Sequence, residues 1–165
     1  MAGGTRGYAQ RVDIRVDIEV VWKALLDPVT LALWHAPGAR IDAREGGLYY
    51  LRHGDGLERE AHIDVFLPPR RLRLIYMPMA GLPDEGAVIV EDFLLDRDPT
   101  AARTAGVEAV TILRLMGSGI PEGSQWHSTS VALRRGGERA LLRLKVRLER
   151  PPEREGPKFS RLTGL

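Results

Sequence analysis

Residues 124–150 read SQWHSTSVALRRGGERALLRLKVRLER, and Pro151 and Pro152 follow directly. Apolar or small residues recur in this stretch at steps of three and four, which is the spacing of one face of an α-helix. Ser124 is suited to cap the start of such a helix, and two consecutive prolines cannot continue it. The stretch therefore predicts one long C-terminal helix. Its inward-facing residues would be Trp126, Ser130, Leu133, Gly137, Leu141, Leu144 and Leu148.

The length of this helix indicates what it can cover. At about 1.5 Å per residue it would be about 40 Å long. A sheet of six or seven strands, at roughly 4.8 Å per strand, is about 30 Å wide. One helix of this length can therefore lie across a whole sheet.

Small residues interrupt the middle of the inward-facing stripe, at Ser130 and at the pair Gly136-Gly137. Two adjacent glycines cost a helix interior about 2 kcal/mol relative to alanine. One interpretation is a kink or a close approach between the helix and the sheet. The other is a space kept free for a ligand, with the small residues as its roof and Trp126 closing one end. The sequence leaves both interpretations open.

The preceding residues follow strand and helix patterns in turn. Alternating apolar residues predict a first strand over 10–16, and helical spacing predicts two short helices over 19–26 and 28–35, the second started by Pro28. Residues 96–106 are interpreted as a polar loop, and 117–123 as the lead into the long helix. Six further strands are predicted over 39–44, 48–53, 59–67, 71–77, 87–95 and 107–116.

Strands that follow one another through short turns form an antiparallel sheet, and the long helix must cover its apolar face. This order predicts one α+β domain over 10–150. The glycine-rich residues 1–9 are expected to be flexible. The proline-rich, charged residues 151–165 are expected to form a flexible tail.

The composition limits the kind of protein. The chain has 165 residues, a formal net charge of +2 and no cysteine, which excludes disulfides and thiolate metal sites. Its scattered arginines are more typical of a solvated surface than of a nucleic-acid-binding face. No apolar run approaches the roughly 18 residues of a membrane span, and residues 1–10 lack the apolar core of a signal peptide. We therefore expect a cytoplasmic protein that neither spans a membrane nor binds nucleic acid.

Short motifs occur between residues 11 and 150 in a recognisable order. They are Val20-Val21-Trp22, Leu25-Leu26, Asp27-Pro28, Leu33-Trp34 with Pro37, Gly46-Gly47, Pro68-Pro69 with Leu72, Glu91 to Phe93, Leu115 to Pro121, Trp126, Leu144-Lys145 and Leu148-Glu149. In order and spacing they resemble the START-like (SRPBCC, helix-grip) superfamily, and in particular its branch named after the Hsp90 ATPase activator Aha1.

The resemblance implies a curved antiparallel sheet of six to seven strands wrapped on a long C-terminal helix, with two short helices after the first strand. Between sheet and helix it implies a mainly apolar cavity, which in this superfamily binds lipids, hormones, polyketides or other hydrophobic molecules. The branch has no family-wide catalytic motif and implies no cofactor. The expected function is therefore binding of a lipid-like or polycyclic molecule rather than catalysis.

Two other functions remain as alternatives. Some members of the superfamily use the cavity as an active site, where Glu91, His127 and Tyr76 could perform acid–base chemistry. A strand edge or the arginine-rich outer face of the helix could instead serve protein interaction, including a homodimer. Hsp90 activation is not carried over, because the eukaryotic namesake is a larger two-domain protein.

The histidines give no sign of a metal site. No two of His35, His53, His62 and His127 have a ligand spacing such as H-x-x-x-H, and no Ser-His-Asp order or phosphate-binding loop is present. We interpret them as ordinary polar residues. His127 is of most interest, because it falls in the first turn of the long helix, where the cavity mouth is expected.

Acidic side chains on strands are the other titratable candidates. Glu60 and Asp64 share a face with His62 and are expected to point outward, because Ala61, Ile63 and Val65 form the better core face. Glu91 shares its face with two apolar residues and is the more credible buried acid. The candidate ligand-binding residues are Trp34, Tyr49, Leu51, Tyr76, Glu91, Phe93, Trp126, His127, Ser130 and Gly137.

Overall fold

Seven strands and four helices make up the part of the chain that the computed structural model describes, which is residues 3–79, 81–84 and 86–151. The strands are β1 (Thr5–Ile14), β2 (Gly38–Ile41), β3 (Leu48–Arg52), β4 (Glu58–Leu67), β5 (Arg71–Tyr76), β6 (Val90–Arg97) and β7 (Thr111–Pro121). The helices are α1 (Ile18–Leu26), α2 (Pro28–Trp34), α3 (Pro99–Ala105) and α4 (His127–Leu148).

All seven strands belong to one antiparallel sheet in the order β1-β7-β6-β5-β4-β3-β2. The first two strands in the sequence therefore form opposite edges, and α1 and α2 make the connection between them. The long helix α4 packs against β1, β7, α1 and α2. The expected α+β helix-grip architecture, with two short helices after the first strand, is confirmed.

One aspartate organises the junction between α1 and α2. Asp27 ends α1, and its carboxylate accepts hydrogen bonds from the backbone N–H and the hydroxyl of Thr30, at 3.1 and 2.6 Å. Pro28 follows in the first turn of α2, where its missing N–H costs nothing. The same short stretch therefore stops one helix and starts the next.

Two aromatic side chains satisfy the last carbonyls of α1. The indole Nε1 of Trp34 donates to the Ala24 carbonyl at 3.0 Å, and the Tyr49 hydroxyl donates to the Leu25 carbonyl at 2.7 Å. A helix end otherwise leaves these acceptors without partners inside a core. The two bonds fix α2 and β3 relative to α1.

The inward-facing leucines of α4 are confirmed, but the predicted start of the helix is not. Leu141 and Leu144 are buried, whereas Ser124–Trp126 forms a separate 3₁₀ turn that has no side-chain cap. The predicted cap at Ser124 is therefore wrong, and the α-helix begins at His127. Its far end is held by Lys145, whose ammonium donates to a β1 carbonyl and to the Glu149 carboxylate.

Strands β1 and β7 both extend beyond the bounds predicted from the sequence. β1 begins at Thr5, so the expected flexibility of residues 1–9 is wrong from there onward, and β7 continues through Gly117 to Pro121. The cause is mutual pairing, since Thr5 lies opposite Pro121. Gly119 permits the extension, because a Cβ there would lie 1.9 Å from the Val88 carbonyl oxygen. Of the predicted flexible tail, residues 152–165 lie outside the described residues.

The segment interpreted as a polar loop contains the helix α3. Asp98 caps it by accepting a hydrogen bond from the Ala101 N–H, Pro99 occupies its first turn, and Gly106 ends it with φ of 67°. A shift of register next to Asp64 also changes the core face of β4. Phe66 packs against the core after this bulge, with its ring centroid 5.6 Å from that of Trp22.

The two glycines of α4 have different surroundings. A Cβ on Gly137 would lie 2.7 Å from the Gln10 side-chain oxygen of β1 and 3.2 Å from a methyl carbon of Leu115 on β7. A Cβ on Gly136 would meet nothing within 4 Å. Close approach to the sheet therefore explains Gly137, whereas Gly136 faces open space.

We predict that Leu144→Ala lowers the free energy of unfolding by about 2–5 kcal/mol, because the leucine is fully buried and its removal leaves a cavity. Leu142 on the same helix is 54% exposed and serves as the control. Leu142→Ala should change stability by less than about 0.5 kcal/mol. Urea unfolding of the two variants measures the difference, and equal losses would contradict the packing described.

The glycine pair gives a second prediction. Gly136→Ala should raise the free energy of unfolding by up to about 1 kcal/mol, the difference in helix propensity. Gly137→Leu should instead lower it by about 1–3 kcal/mol, because the added side chain overpacks against β1 and β7. Thermal melts compare the variants, and a Gly137→Leu protein as stable as the parent would refute the close approach.

Candidate functional site

A cavity of about 460 Å³ lies between the sheet and α4. This volume falls within the range of about 300–1,000 Å³ that is typical of small-molecule sites. The described residues therefore leave between them a space that their side chains do not fill. The buried residues along its wall are mostly aromatic or aliphatic, namely Leu25, Tyr49, Leu51, Leu74, Tyr76, Phe93 and Leu115.

The exposed residues of the wall mark where the cavity opens. Asp55 and Leu57 belong to the hairpin between β3 and β4, and Gly81 belongs to the loop between β5 and β6. Gly136 and Arg139 contribute from α4. The opening therefore lies between one helix, one hairpin and one loop.

Small residues in the sheet make room for aromatic neighbours. Gly117 of β7 lies between Tyr8 of β1 and Glu91 of β6 in the strand register. A Cβ on Gly117 would come within 2.3 Å of the Tyr8 ring, so the ring occupies the space that a side chain would need. In the same way Ala61 lies between Tyr49 and Tyr76. The wall is thus lined by tyrosines that lie next to small residues.

An ion pair lies at the buried side of the cavity. Nη2 of Arg59 donates to Oε1 of Glu91 at 2.8 Å, and the two side chains are only 16% and 9% exposed. The strands that carry them are separated by β5, so Arg59 reaches across that strand. It does so with its guanidinium carbon 4.2 Å from the centre of the Tyr76 ring, in cation–π geometry. Both residues line the cavity.

Two tyrosine hydroxyls share this environment. Burial raises the pKa of Tyr76 well above that of an exposed phenol, and the opposing effect of the Arg59 charge is smaller. Burial, followed by the charge of Glu91, also raises the pKa of Tyr8. Both phenols therefore stay protonated at neutral pH. They do not act as bases there, and a hydrogen bond to Glu91 adds to the effect of burial at Tyr76.

Two histidines meet on another part of the wall. The rings of His35 and His53 are 5.0 Å apart edge to face, and His35 stacks on Trp34 at 4.7 Å. Nη2 of Arg143 lies 3.5 Å from Nδ1 of His35. Burial, then the charges of His53, Arg143 and Arg59, lowers the pKa of His35 from 6.5 to about 3. This histidine is therefore neutral at physiological pH.

Seven of the ten candidate residues from the sequence line the cavity. They are Trp34, Tyr49, Leu51, Tyr76, Glu91, Phe93 and Gly137. Their role in binding stays a prediction. The inward orientation of Glu91 and the outward orientation of Glu60 and His62 agree with the sequence analysis.

The other three candidates do not belong to the cavity wall. Trp126 is 1% exposed and packs within the hydrophobic core, so it does not close one end of the cavity as expected. His127 is exposed, and the hydroxyl of Ser130 donates to the His127 carbonyl at 2.9 Å. The roof of the cavity is therefore built by Gly136 and Gly137 without Ser130.

The sequence analysis missed several polar residues of the wall, namely Arg59, Tyr8, His35 and His53. Arg59 shares the inner face of β4 with Ala61 and Ile63, and continuing that alternation by one step would have found it. Tyr8 was hidden by the assumption that the N-terminus is flexible. His35 and His53 come together only because β2 begins opposite the end of β3, a pairing that no local pattern indicates.

Other kinds of site find no support in the described residues. Across residues 3–79, 81–84 and 86–151, no three or more metal-ligating side chains gather to hold an ion. Within the same ranges, no helix combines the length and apolar composition needed to cross a membrane.

Several solved structures share this fold at low sequence identity. MLL2253 from Mesorhizobium loti has a TM-score of 0.70 at 18% identity and covers 86% of this chain and 95% of its own. CalU16 from Micromonospora echinospora has a TM-score of 0.65 at 24% identity, covering 90% and 79%. CV1439 from Chromobacterium violaceum has a TM-score of 0.63 at 22% identity, covering 88% and 98%. Similarity at these identities establishes the fold alone.

The sequence itself gives the family. No curated protein matches the chain. Residues 15–149, from the end of β1 to the end of α4, match the family described as Activator of Hsp90 ATPase homolog 1-like protein. This match covers most of the 165 residues and includes the whole cavity wall except Tyr8. The chain therefore belongs to the Activator of Hsp90 ATPase homolog 1-like family.

Proposed function

We propose that the protein binds a small, mainly apolar molecule in the cavity between the sheet and α4. The observation that carries this proposal is a space of about 460 Å³ whose buried wall is largely aromatic and aliphatic. Burial of apolar ligand surface against such a wall is favourable by about 25 cal/mol per Å². A solidly filled core would have left no room for a ligand.

Binding fits the wall better than catalysis does. Of the three residues considered for acid–base chemistry, Glu91 and Tyr76 lie together on the wall, whereas His127 is exposed elsewhere on α4. The Glu91 carboxylate is engaged by Arg59, and burial keeps the Tyr76 phenol protonated by raising its pKa. Neither group is therefore free to act as a general base on a bound molecule.

The family name refers to Hsp90 activation, but the proposal does not depend on that role. It rests on the cavity that the described residues form. Lipid-like and polycyclic molecules both match the apolar wall. The volume favours a ligand of drug-like size.

We predict that N-phenyl-1-naphthylamine, a neutral fluorescent probe, binds saturably and that naphthalene displaces it. Gly136→Leu should weaken this binding by at least about tenfold, because the new side chain occupies open space beside the cavity. Its fold should survive, since leucine is a better helix former than glycine. Fluorescence titration of the parent and the variant measures the change.

Arg135→Leu is the matched control for this experiment. It introduces the same side chain at the neighbouring exposed position of α4, which does not line the cavity. Its affinity for the probe should equal that of the parent. Absence of saturable binding to the parent protein would refute the proposed function.

The histidine pair gives a pH prediction. The pKa of His35 is about 3 in the folded protein and about 6.5 when unfolded, and the pKa of His53 is also lowered, mainly by burial. The unfolded chain therefore binds more protons between these values. The contribution of the neutral histidines to the free energy of unfolding is fully present above about pH 6.5. It is lost as the pH falls from there toward the lower pKa values of the folded protein.

The free energy of unfolding in urea should accordingly be lower at about pH 5 than at about pH 7. His35→Gln should reduce this difference, because one of the two titrating groups is then removed. The carboxyl groups whose pKa values are lowered, such as those of Asp17, Asp27 and Glu149, act in the same direction, but they are present in both proteins and cancel in the comparison. An unchanged pH dependence in His35→Gln would contradict the burial of His35.

A further inference from the structure

The ion pair on the cavity wall has unused hydrogen-bonding capacity. Arg59 carries five N–H donors and Glu91 two acceptor oxygens. Among the described residues, Nη2 of Arg59 donates to Oε1 of Glu91, and a hydrogen bond from the Tyr76 hydroxyl also reaches the Glu91 carboxylate. No polar atom of these two side chains is both buried from solvent and without a hydrogen-bond partner. The other N–H groups of Arg59, and the carboxylate lone pairs of Glu91 that these two bonds leave unused, therefore remain available to a molecule in the cavity.

A contribution to the stability of the fold does not explain why an ion pair occupies this position. A buried ion pair loses its hydration, and replacing it with apolar side chains of similar size is often neutral or stabilising. Here Arg59 crosses β5 over the Tyr76 ring to reach Glu91, so its guanidinium is held both by the ring and by the Glu91 carboxylate. The result is a donor and an acceptor side by side, in fixed orientation, within an otherwise mostly apolar wall.

The charge of the pair restricts what can approach it. Because Arg59 and Glu91 neutralise each other, a carboxylate would place a second negative charge beside Glu91. An ammonium group would place a second positive charge beside Arg59. In a buried site either charge would lose its water without gaining an unopposed partner. A neutral group avoids both costs.

We infer that the cavity recognises a neutral, hydrogen-bonding end group on its otherwise apolar ligand, of the carboxamide or hydroxy-carbonyl class. A carbonyl oxygen of this group accepts from the free N–H groups of Arg59. An adjacent N–H or O–H donates to an unused lone pair of the Glu91 carboxylate. The inference rests on the proposed function, because the pair can be reached only by a molecule inside the cavity.

Four probes with one shared ring system test this inference in the parent protein. They are naphthalene, 2-acetylnaphthalene, naphthalene-2-carboxamide and 2-naphthoate, each used to displace N-phenyl-1-naphthylamine at neutral pH. The carboxamide should bind about tenfold or more tightly than naphthalene, because it alone satisfies both Arg59 and Glu91. The acetyl compound, which only accepts, should lie between them, and 2-naphthoate should bind less tightly than the carboxamide.

The variant Glu91→Gln tests the inference more directly. The substitution preserves size but leaves the Arg59 charge unopposed, so the affinity for 2-naphthoate should rise by about tenfold or more and exceed that for the carboxamide. Asp92→Asn is the matched control, because Asp92 is the next residue of β6 and forms its own ion pair with Arg71 at 2.7 Å, away from the cavity. It should leave the order of the four probes unchanged.

If Glu91→Gln fails to fold, as judged by circular dichroism, the double variant Arg59→Met/Glu91→Leu replaces it. This variant removes both charges together, and it should bind naphthalene while losing the preference for the carboxamide. Equal affinities of the parent protein for naphthalene, the carboxamide and 2-naphthoate would overturn the inference and leave the proposed function intact. Failure of the parent protein to bind any probe, including N-phenyl-1-naphthylamine, would refute the proposed function itself.

Discussion

The packing of α4 against one side of the sheet determines the rest of this structure. A single helix of 22 residues is the principal cover for a face that is seven strands wide. It lies close to the sheet at Gly137, where an added Cβ would be 2.7 Å from the side-chain oxygen of Gln10 on β1 and 3.2 Å from a methyl carbon of Leu115 on β7. Over the central strands the helix has no such contact. The cavity is the space left between a helix fixed at one edge of the sheet and a sheet that curves away from it.

The periodic parts of this arrangement could be predicted from the sequence. The three- and four-residue steps of α4 and the alternation of β5 identify which side chains point inward, and the resemblance supplies the topology. Periodicity does not say how far away the opposing surface lies. For that reason Trp126 and Gly136 were both expected beside the ligand space, yet Trp126 packs solidly in the core and only Gly136 borders open space.

The polar side of the cavity was harder to predict for a different reason. A charged residue on a strand usually points to water, so Arg59 was not considered as an inner residue although its alternation with Ala61 places it there. Its partner is on β6, two strands away, and only the folded sheet brings them together. The related structures share the fold at 18–24% identity, so the chemistry of the wall has to be inferred from the residues of this chain.

The fluorescence of Trp34 should be sensitive to whether a molecule is present in the cavity. Its indole is hydrogen-bonded to the end of α1, stacks on His35 and forms part of the cavity wall. A molecule bound there would change the polarity beside this ring. The wavelength and the intensity of the indole fluorescence would then change as well. Trp22 and Trp126 are buried outside the wall and provide a constant background against which the change is measured. Entry of a molecule into the proposed site would therefore be detectable without any label.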